Sequence, residues 1–477
     1  MSTLPDISTQ FAEWYQEIIV KAGIVDSSPT RGCFVIKPYG YAVWEHIQKH
    51  MDAGIKRLGV DNAYFPLLIP KSFLTKEEKH IEGFSPELAV VTHGGGKELE
   101  EPLVVRPTSE TMIYYMFSRW ITSYRDLPLK VNQWANVVRW EMRTRPFVRS
   151  LEFLWQEGHT AHRTHEEAVQ MALAALELYR STYEDFLAIP VVTGMKSDSE
   201  RFAGADRTYT VEGLMQDGKA LQMCTSHVLA HSFPASFDVR YQDVDGQMQV
   251  PHCTSWGFTT RSVGAVIMTH GDQQGLVMPP YAAPVQVVMV PIYKTDEEKL
   301  AVTTRLKELY AQLAEQGVRA TIDEREGMTP GAKYFEWEMK GVPVRLECGP
   351  KDLQNGTVVL VNRVEQDKTK KKSFVPVDQL VPAAQVLLKT IHTMLYERAK
   401  KRMLEQWHQG DKLASFGPDL EAKQGWYQTG WCGGAACEAQ VKQYKATIRC
   451  LLPEKKHDAC FACSLPSTVD VLVAKAY

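Results

Sequence analysis

Between Val137 and Trp155 the chain reads VVRWEMRTRPFVRSLEFLW: an apolar alternating run, an arginine-rich loop, and a second run rich in aromatic residues. Two such runs around a polar loop predict a pair of joined strands. Side chains alternate between the faces of a strand, so Val137, Arg139 and Glu141 are expected on one face and Val138 and Trp140 on the other. The returning strand likewise groups Phe153, Trp155, Glu157 and His159. A wall combining a guanidinium, two carboxylates, an imidazole and two aromatic rings suits a ligand that carries phosphate, a flat base and an amine. For Arg139 and Glu141 taken alone, a solvated salt bridge is the plainer alternative.

Three further loop cations, Arg143, Arg145 and Arg149, suit a polyanion that enters and leaves, and ATP is the natural one. A Gly-rich phosphate loop is not the means of holding it. HGGGKEL at 93–99 has Val91 where the first glycine of that motif belongs, and no Ser or Thr follows Lys97. The net charge of -3 leaves a nucleic-acid partner to local basic patches. The amino-terminal MSTLPDISTQFAEWYQEIIV lacks the basic end and unbroken apolar stretch of a secretory signal, and no apolar run approaches membrane-spanning length. A cytosolic chain without a membrane partner is expected.

At 477 residues, 44% hydrophobic and 23% charged, the chain has length for two to four domains. Apolar stripes at helical spacing run through Phe11, Trp14, Tyr15 and Ile18, and through Val43, Ile47, Met51, Ile55 and Leu58. VDNAYFPLLIP follows, and Pro66 inside it suits an edge or interface strand. From Val104 to Ile267, strand-like stretches with few helices, chiefly His165 to Leu187, predict an antiparallel sheet. After VMPPYAAP the pattern becomes strand, helix, strand, helix, a compact α/β module with a parallel-type sheet; a long helix from Val386 to about Gln409 leads out of it.

Four of the nine cysteines form two pairs, Cys432 with Cys437 and Cys460 with Cys463, in a chain expected to stay reduced. Gaps of four and two residues let four thiolates converge on one tetrahedral Zn²⁺. Cys450, between the pairs, could substitute for one of them; Cys33, Cys224, Cys253 and Cys348 are isolated and read as buried.

Arg139-Trp-Glu141 with its basic loop and Phe153 resembles motif 2 of the class II aminoacyl-tRNA synthetases, and SWGFTTRSVGAVIM, with Arg261 opening its helix, resembles motif 3. GYAVWEHI through AYFPLLIP resembles motif 1, with Pro66 as its proline. RPTSE, LWQEGHTAH, TSH and the terminal AKAY bring the likeness to the prolyl-tRNA synthetases of the archaeal and eukaryotic type, over nearly the whole length.

The resemblance implies an α+β architecture: an antiparallel-sheet catalytic domain (1–282), an α/β anticodon-binding domain (283–384) and a small zinc-bearing C-terminal domain (385–477). It implies a homodimer that joins L-proline to tRNA(Pro) through prolyl-adenylate, using ATP with Mg²⁺ and a structural Zn²⁺. On that likeness Arg139 binds the α-phosphate and the substrate carboxylate, Glu141 the adenine amino group, and Phe153 stacks on adenine. Arg261 grips the γ-phosphate, and Gln222, Thr225 and Thr259 complete the nucleotide site. Thr108, Glu110 and His227 are the implied polar contacts of proline, with Trp155, Glu157 and Phe202 shaping its pocket. Either carboxylate can supply the anion that a secondary ammonium needs, and the two rings a box for a small apolar ring.

Tyr334, Glu338, Arg345, Lys351 and Asp352 are the implied anticodon contacts, since single-stranded bases are read by stacking and edge hydrogen bonds. The lysines at 368–372 are read as a phosphate contact or a solvated hairpin turn. Tyr477 is implied to bring its carboxylate near the active site. Only the segment from Phe153 to about Trp256 separates motifs 2 and 3, so no inserted editing domain is expected. Two other readings stay open on sequence: a threonyl-type synthetase, which needs a catalytic zinc near Thr108, and a non-catalytic synthetase-like RNA-binding protein.

Overall fold

The computed structural model describes residues 4–75, 88–422 and 425–477. Its centre is an eleven-stranded sheet. In chain order its strands are β1 (Asp61–Asn62), β2 (Leu129–Val138), β3 (Glu152–His162), β4 (Val192–Met195), β5 (Ala205–Leu214), β6 (Ala220–Leu229), β7 (His252–Thr259), β8 (Trp407–Gln409), β9 (Trp426–Trp431), β10 (Thr447–Leu451) and β11 (Val469–Ala474). In space they run β8-β9-β11-β10-β4-β5-β6-β7-β3-β2-β1. All neighbours are antiparallel except the outer pairs β1–β2 and β8–β9. Among the described residues between β3 and β7, strands β4 to β6 belong to this sheet, while Tyr241–Gln242 and Met248–Gln249 pair in a small sheet of their own.

The helices Phe11–Lys21, Pro38–Arg57, His165–Ser181 and Arg261–His270 cover one face of the sheet, where Trp14, Tyr15, Ile47, Met51, Tyr179, Trp256 and Phe258 share one buried core. The helix expected over 165–187 has regular α geometry only to Ser181 and closes with a wider turn over Thr182–Phe186. Sheet and helices meet without slack at Gly158, where an added Cβ would lie 2.2 Å from the ring of Trp256. Gly158→Ala must therefore displace a fully buried indole and is expected to destabilise the protein by about 1–3 kcal/mol. Urea unfolding would read this as a lower midpoint at unchanged slope.

Two expectations change here. Strand β2 ends at Val138, so Arg139 and Glu141 lie in the loop beyond it rather than on the strand. EPLVVRPTSE contributes its strand, Lys97–Val105, to a separate three-stranded sheet with Ala89–Gly94 and Leu68–Pro70. In that sheet Gly95 and Gly96, both at positive φ (60° and 77°), make the two-residue hairpin turn that a Gly-rich sequence favours. HGGGKEL is thus a turn, and none of its residues lines the cavity described below.

The module after the break has five strands in mixed pairing. Val287–Pro291 is parallel to Ala320–Ile322 and Val344–Cys348, whereas Thr357–Asn362 and Lys372–Pro376 add antiparallel pairs. The connections explain this: the helices Asp296–Glu315 and Pro330–Met339 carry the chain across between the parallel strands, whereas the short helix Pro350–Asn355 and the loop 363–371 return it antiparallel. The long helix spans Leu380–Glu405 and so crosses the expected 384/385 boundary. Its first half, through Leu380, Ala384, Leu388 and Ile391, packs into the core of this module. It can begin before Pro382 because a first-turn N–H has no intrahelical partner to lose. Beyond it β8–β11 continue the catalytic sheet, joined to β4 at Leu451↔Met195. Among the described residues no helix is long and apolar enough to cross a membrane.

Candidate active site

Strand register sets the floor of the site. Gln133, Glu157, Gly257, Thr225 and Thr210 stand opposite one another across β2, β3, β7, β6 and β5. His159, Ser255, His227 and Thr208 form a parallel row two residues along. Because alternate residues share a face, Trp155, Glu157 and His159 of β3 meet Ser255, Gly257 and Thr259 of β7 on one surface. A cavity of about 320 Å³ opens over that surface. It is lined by every residue that the sequence assigns to ATP or proline, from Thr108 and Glu110 to Thr259 and Arg261.

At one end stand the guanidiniums. Arg139 donates through Nε to the Pro107 carbonyl at 3.0 Å and lies 5.5 Å from the ring centres of both Phe153 and Trp155, which meet edge to face. Arg261 is held by the carbonyls of Gln222 (2.9 Å) and Val148 (3.3 Å), and its own N–H donates to Thr259 Oγ1 at 3.0 Å. Burial makes the charged form of Arg261 costlier, and neighbouring Arg139 and Arg149 add to that, so its pKa falls below the usual arginine value. Such mutual repulsion is relieved by a bound polyanion. Glu141 lies 3.9 Å from Arg149, so the solvated Arg139–Glu141 pair considered from sequence gives way to a different partner. Arg149 also donates to the Tyr477 carbonyl at 3.3 Å, and Arg145 sits over the Tyr477 ring at 5.6 Å.

At the other end, β7 recedes four residues from Thr259 to Ser255, about 13 Å at strand rise. There two carboxylates are buried, Glu110 and Glu157, with 4% and 2% exposure. Glu110 accepts from Thr108 Oγ1 and from Ser255 Oγ at 3.0 Å. Glu157 accepts from Gln133 Nε2 at 2.9 Å and from the Ser109 N–H at 3.3 Å, with His159 Nε2 at 3.1 Å. The ring of Phe202 packs 4.5 Å from that of His227, whose two nitrogens meet Thr208 Oγ1 (2.9 Å) and Thr225 Oγ1 (3.0 Å). Sequence reasoning passed over Gln133, Ser255 and Thr208, which orient Glu157, Glu110 and His227. Period-two alternation on their strands was the available signal. Lys196 and Glu200, also on the cavity wall, carried none.

In the α/β module, Arg345 lies 3.9 Å over the ring of Tyr334 and pairs with Glu338 (3.0 Å) and Glu347 (2.9 Å). Glu347 also pairs with Lys372 at 2.9 Å and was not anticipated. Burial pushes the Tyr334 phenol up to about 12. Asp352 accepts from the Gly349 N–H at 2.8 Å and so caps the short helix Pro350–Asn355, on which Lys351 is exposed.

The reactive sulfur atoms of Cys432, Cys437, Cys460 and Cys463 all lie within 4.8 Å of one another. Two separations are 3.7 and 3.8 Å. Four sulfurs at about 2.3 Å from one Zn²⁺ stand about 3.8 Å apart at the edges of a tetrahedron, whereas a disulfide needs about 2.05 Å. Burial raises the Cys460 thiol, but the backbone N–H groups of Cys463, Ala462 and Cys432 outweigh it and draw the group down to about 7, whereas burial and the neighbouring thiols push Cys437 up. Cys450 is no substitute ligand: it lies in a separate apolar cluster with Trp426 and Leu472. Cys33 is only half-buried, unlike Cys224, Cys253 and Cys348.

An antiparallel floor with a motif arginine just beyond each of two strand ends, backed on its far face by the helix that Arg261 opens, defines a class II aminoacyl-tRNA synthetase. Residues 91–270 match the family model described as the tRNA synthetase class II core domain (G, H, P, S and T), residues 286–387 an anticodon binding domain, and residues 413–477 the prolyl-tRNA synthetase C-terminal domain. The chain belongs to the prolyl-tRNA synthetase family. It is 48% identical over 470 residues to proline--tRNA ligase 2 of Clostridioides difficile (strain 630), covering 98% of this chain and 96% of that one. Over 475 residues it is 49% identical to proline--tRNA ligase 2 of Rhodococcus jostii (strain RHA1), covering 98% of each. It also superposes with a TM-score of 0.93, at 40% identity and over 99% of both chains, on the crystal structure of prolyl-tRNA synthetase from Cryptosporidium parvum complexed with halofuginone and AMPPNP.

Proposed function

We propose that this chain ligates L-proline to tRNA(Pro), forming prolyl-adenylate from ATP with release of pyrophosphate and then transferring the prolyl group to the 3′-terminal adenosine. One observation carries the reading: a single cavity joins the Arg139–Arg261 pair to buried Glu110 and Glu157 beside Trp155 and Phe202. The first feature fits a triphosphate and the second a secondary ammonium on a small apolar ring.

The proline carboxylate is already a nucleophile at neutral pH, so the protein's task is alignment and charge stabilisation. Arg139 bridges the carboxylate and the α-phosphate; Arg261 holds the γ-phosphate; Phe153 stacks on adenine and Glu141 accepts from its amino group. Gln222, Thr225 and Thr259 flank the nucleotide. Thr108, Glu110 and His227 hold proline, within walls formed by Trp155, Glu157 and Phe202. Mg²⁺ arriving with ATP supplies further neutralisation of the phosphates. The Tyr334–Arg345–Glu338 cluster, with Lys351 and Asp352 nearby, reads the anticodon. The cysteine tetrad holds a structural Zn²⁺. Exposed Tyr64 and Leu68, flanking Pro66, support a homodimer interface along that segment. The cytoplasm, with its supply of tRNA and ATP, is the compartment that suits this activity.

ATP–pyrophosphate exchange across the twenty amino acids tests the reading. Stimulation by proline alone is expected. Stimulation by threonine would favour the threonyl-type enzyme, although among the described residues the one metal-ligand cluster is the cysteine tetrad, remote in sequence from Thr108. Exchange with no amino acid would favour a non-catalytic protein.

A further inference from the structure

The C-terminal region grips the wall of the amino-acid pocket at its root. Lys196 follows β4, and its Nζ lies 2.8 Å from Glu212 Oε1 while donating to the Arg449 carbonyl at 2.8 Å. Arg449 in turn donates through Nε and Nη2 to Glu212 Oε2 at 3.1 and 2.9 Å, and Thr210 Oγ1 donates to Glu212 Oε1 at 2.8 Å. Lys196, Glu212 and Arg449 are 4%, 0% and 6% exposed. Burial pushes the Glu212 carboxyl up, but Lys196 and Arg449 outweigh it and hold the group below its usual value. The next residue, Ser197, is also buried and donates its Oγ to Glu438 Oε1. Glu438 is itself buried, in the helix Ala435–Val441, directly after Cys437 of the tetrad.

From this anchor the chain enters the cavity wall within a few residues. The Glu200 N–H donates to the Ser197 carbonyl at 3.2 Å, and Glu200 lines the cavity. The Phe202 N–H donates to Thr208 Oγ1 at 3.1 Å, and that hydroxyl also meets His227 Nδ1. Buried charge clusters are often no more stabilising than apolar packing of the same volume, so a cluster of two cations and one anion at this junction is poorly explained by stability alone. It does fix geometry, because each charge must meet a partner at one distance and angle.

We propose that Ser197, Lys196, Glu438 and Arg449 are positioning residues for the amino-acid pocket, through which the C-terminal region sets where Glu200 and Phe202 stand. The proposal rests on reading that wall as the proline pocket. A residue that acts only on this wall should alter proline binding while leaving the nucleotide end intact.

In pyrophosphate exchange by the full chain, Ser197→Ala and Glu438→Ala are each expected to raise KM for proline about tenfold, the scale of one lost charge-assisted hydrogen bond. KM for ATP and kcat at saturating proline should stay within about twofold. Glu438→Gln keeps an acceptor oxygen and should recover most of the loss. The double variant S197A/E438A should be no worse than E438A, since both remove one bond. Phe202→Ala is the reference. If it raises KM for proline while S197A and E438A do not, the positioning role is refuted and the pocket stands; if F202A also leaves KM unmoved, the pocket reading falls and the positioning role with it. A joint fall in kcat and in both substrates' affinities, with a lowered melting temperature, would mark a merely structural contact and overturn the proposal. Should E438A fail to fold, S197A decides alone.

Discussion

Replacing Arg139 with alanine is expected to slow proline-dependent pyrophosphate exchange by about a hundred- to a thousandfold, equivalent to roughly 3–4 kcal/mol of transition-state stabilisation. The guanidinium is oriented before any ligand arrives, by the Pro107 carbonyl at 3.0 Å and by the faces of Phe153 and Trp155 at 5.5 Å. Pre-orientation is what makes a charge effective as negative charge redistributes around the α-phosphate, because little reorganisation accompanies the reaction. Arg139 stands in a loop at the cavity rather than in the core, so the melting temperature should change little. Lysine at this position keeps the charge but loses the planar fork and the ring contacts, and should recover only part of the rate. Near-normal exchange by Arg139→Ala would remove the proposed adenylation chemistry from this site.

The parts of the site legible in sequence are those that local alternation exposes. Trp155, Glu157, Thr225, His227 and Thr259 each lie on a strand whose period of two assigns a face, and register then brings those faces together. Partners brought in from elsewhere left no such trace. Ser255 reaches Glu110 across 145 positions of sequence, and Ser197 reaches Glu438 across 241. Alternation also overran its limit at Val138, where β2 stops and Arg139 turns to the Pro107 carbonyl. Periodicity cannot report where pairing ends, because pairing depends on the neighbouring strand. The same reason hid the continuity of the sheet. Strands β8–β11 belong largely to the stretch that matches the C-terminal domain model, and through the Leu451↔Met195 bridge and the Arg449–Glu212 ion pair they also continue the catalytic sheet.

Loss of one thiolate from the tetrad is expected to have the larger structural effect. In Cys437→Ser the zinc content should fall from one ion per chain to near zero by atomic emission, whereas Cys450→Ser should retain it. Structural zinc sites contribute apparent binding free energies on the order of 10 kcal/mol or more in small zinc-dependent peptides, and that binding is coupled to folding of the surrounding chain. The dependence should be weaker here, because β8–β11 are also held by the catalytic sheet and by a buried apolar cluster of their own that includes Leu413, Phe416, Tyr427, Val471 and Val473. A loss of several kcal/mol and a separate low-temperature unfolding step are therefore expected, followed by the main transition of the catalytic and anticodon cores. A metal chelator applied to the unaltered protein should reproduce that step, and added Zn²⁺ should reverse it. The expectation rests on sulfur separations of 3.7 and 3.8 Å, which match the edges of a tetrahedral Zn²⁺ site. Unchanged melting in a metal-free Cys437→Ser protein would mean that the tetrad does not support this end of the sheet, and a zinc-free unaltered protein would mean that it does not bind the ion.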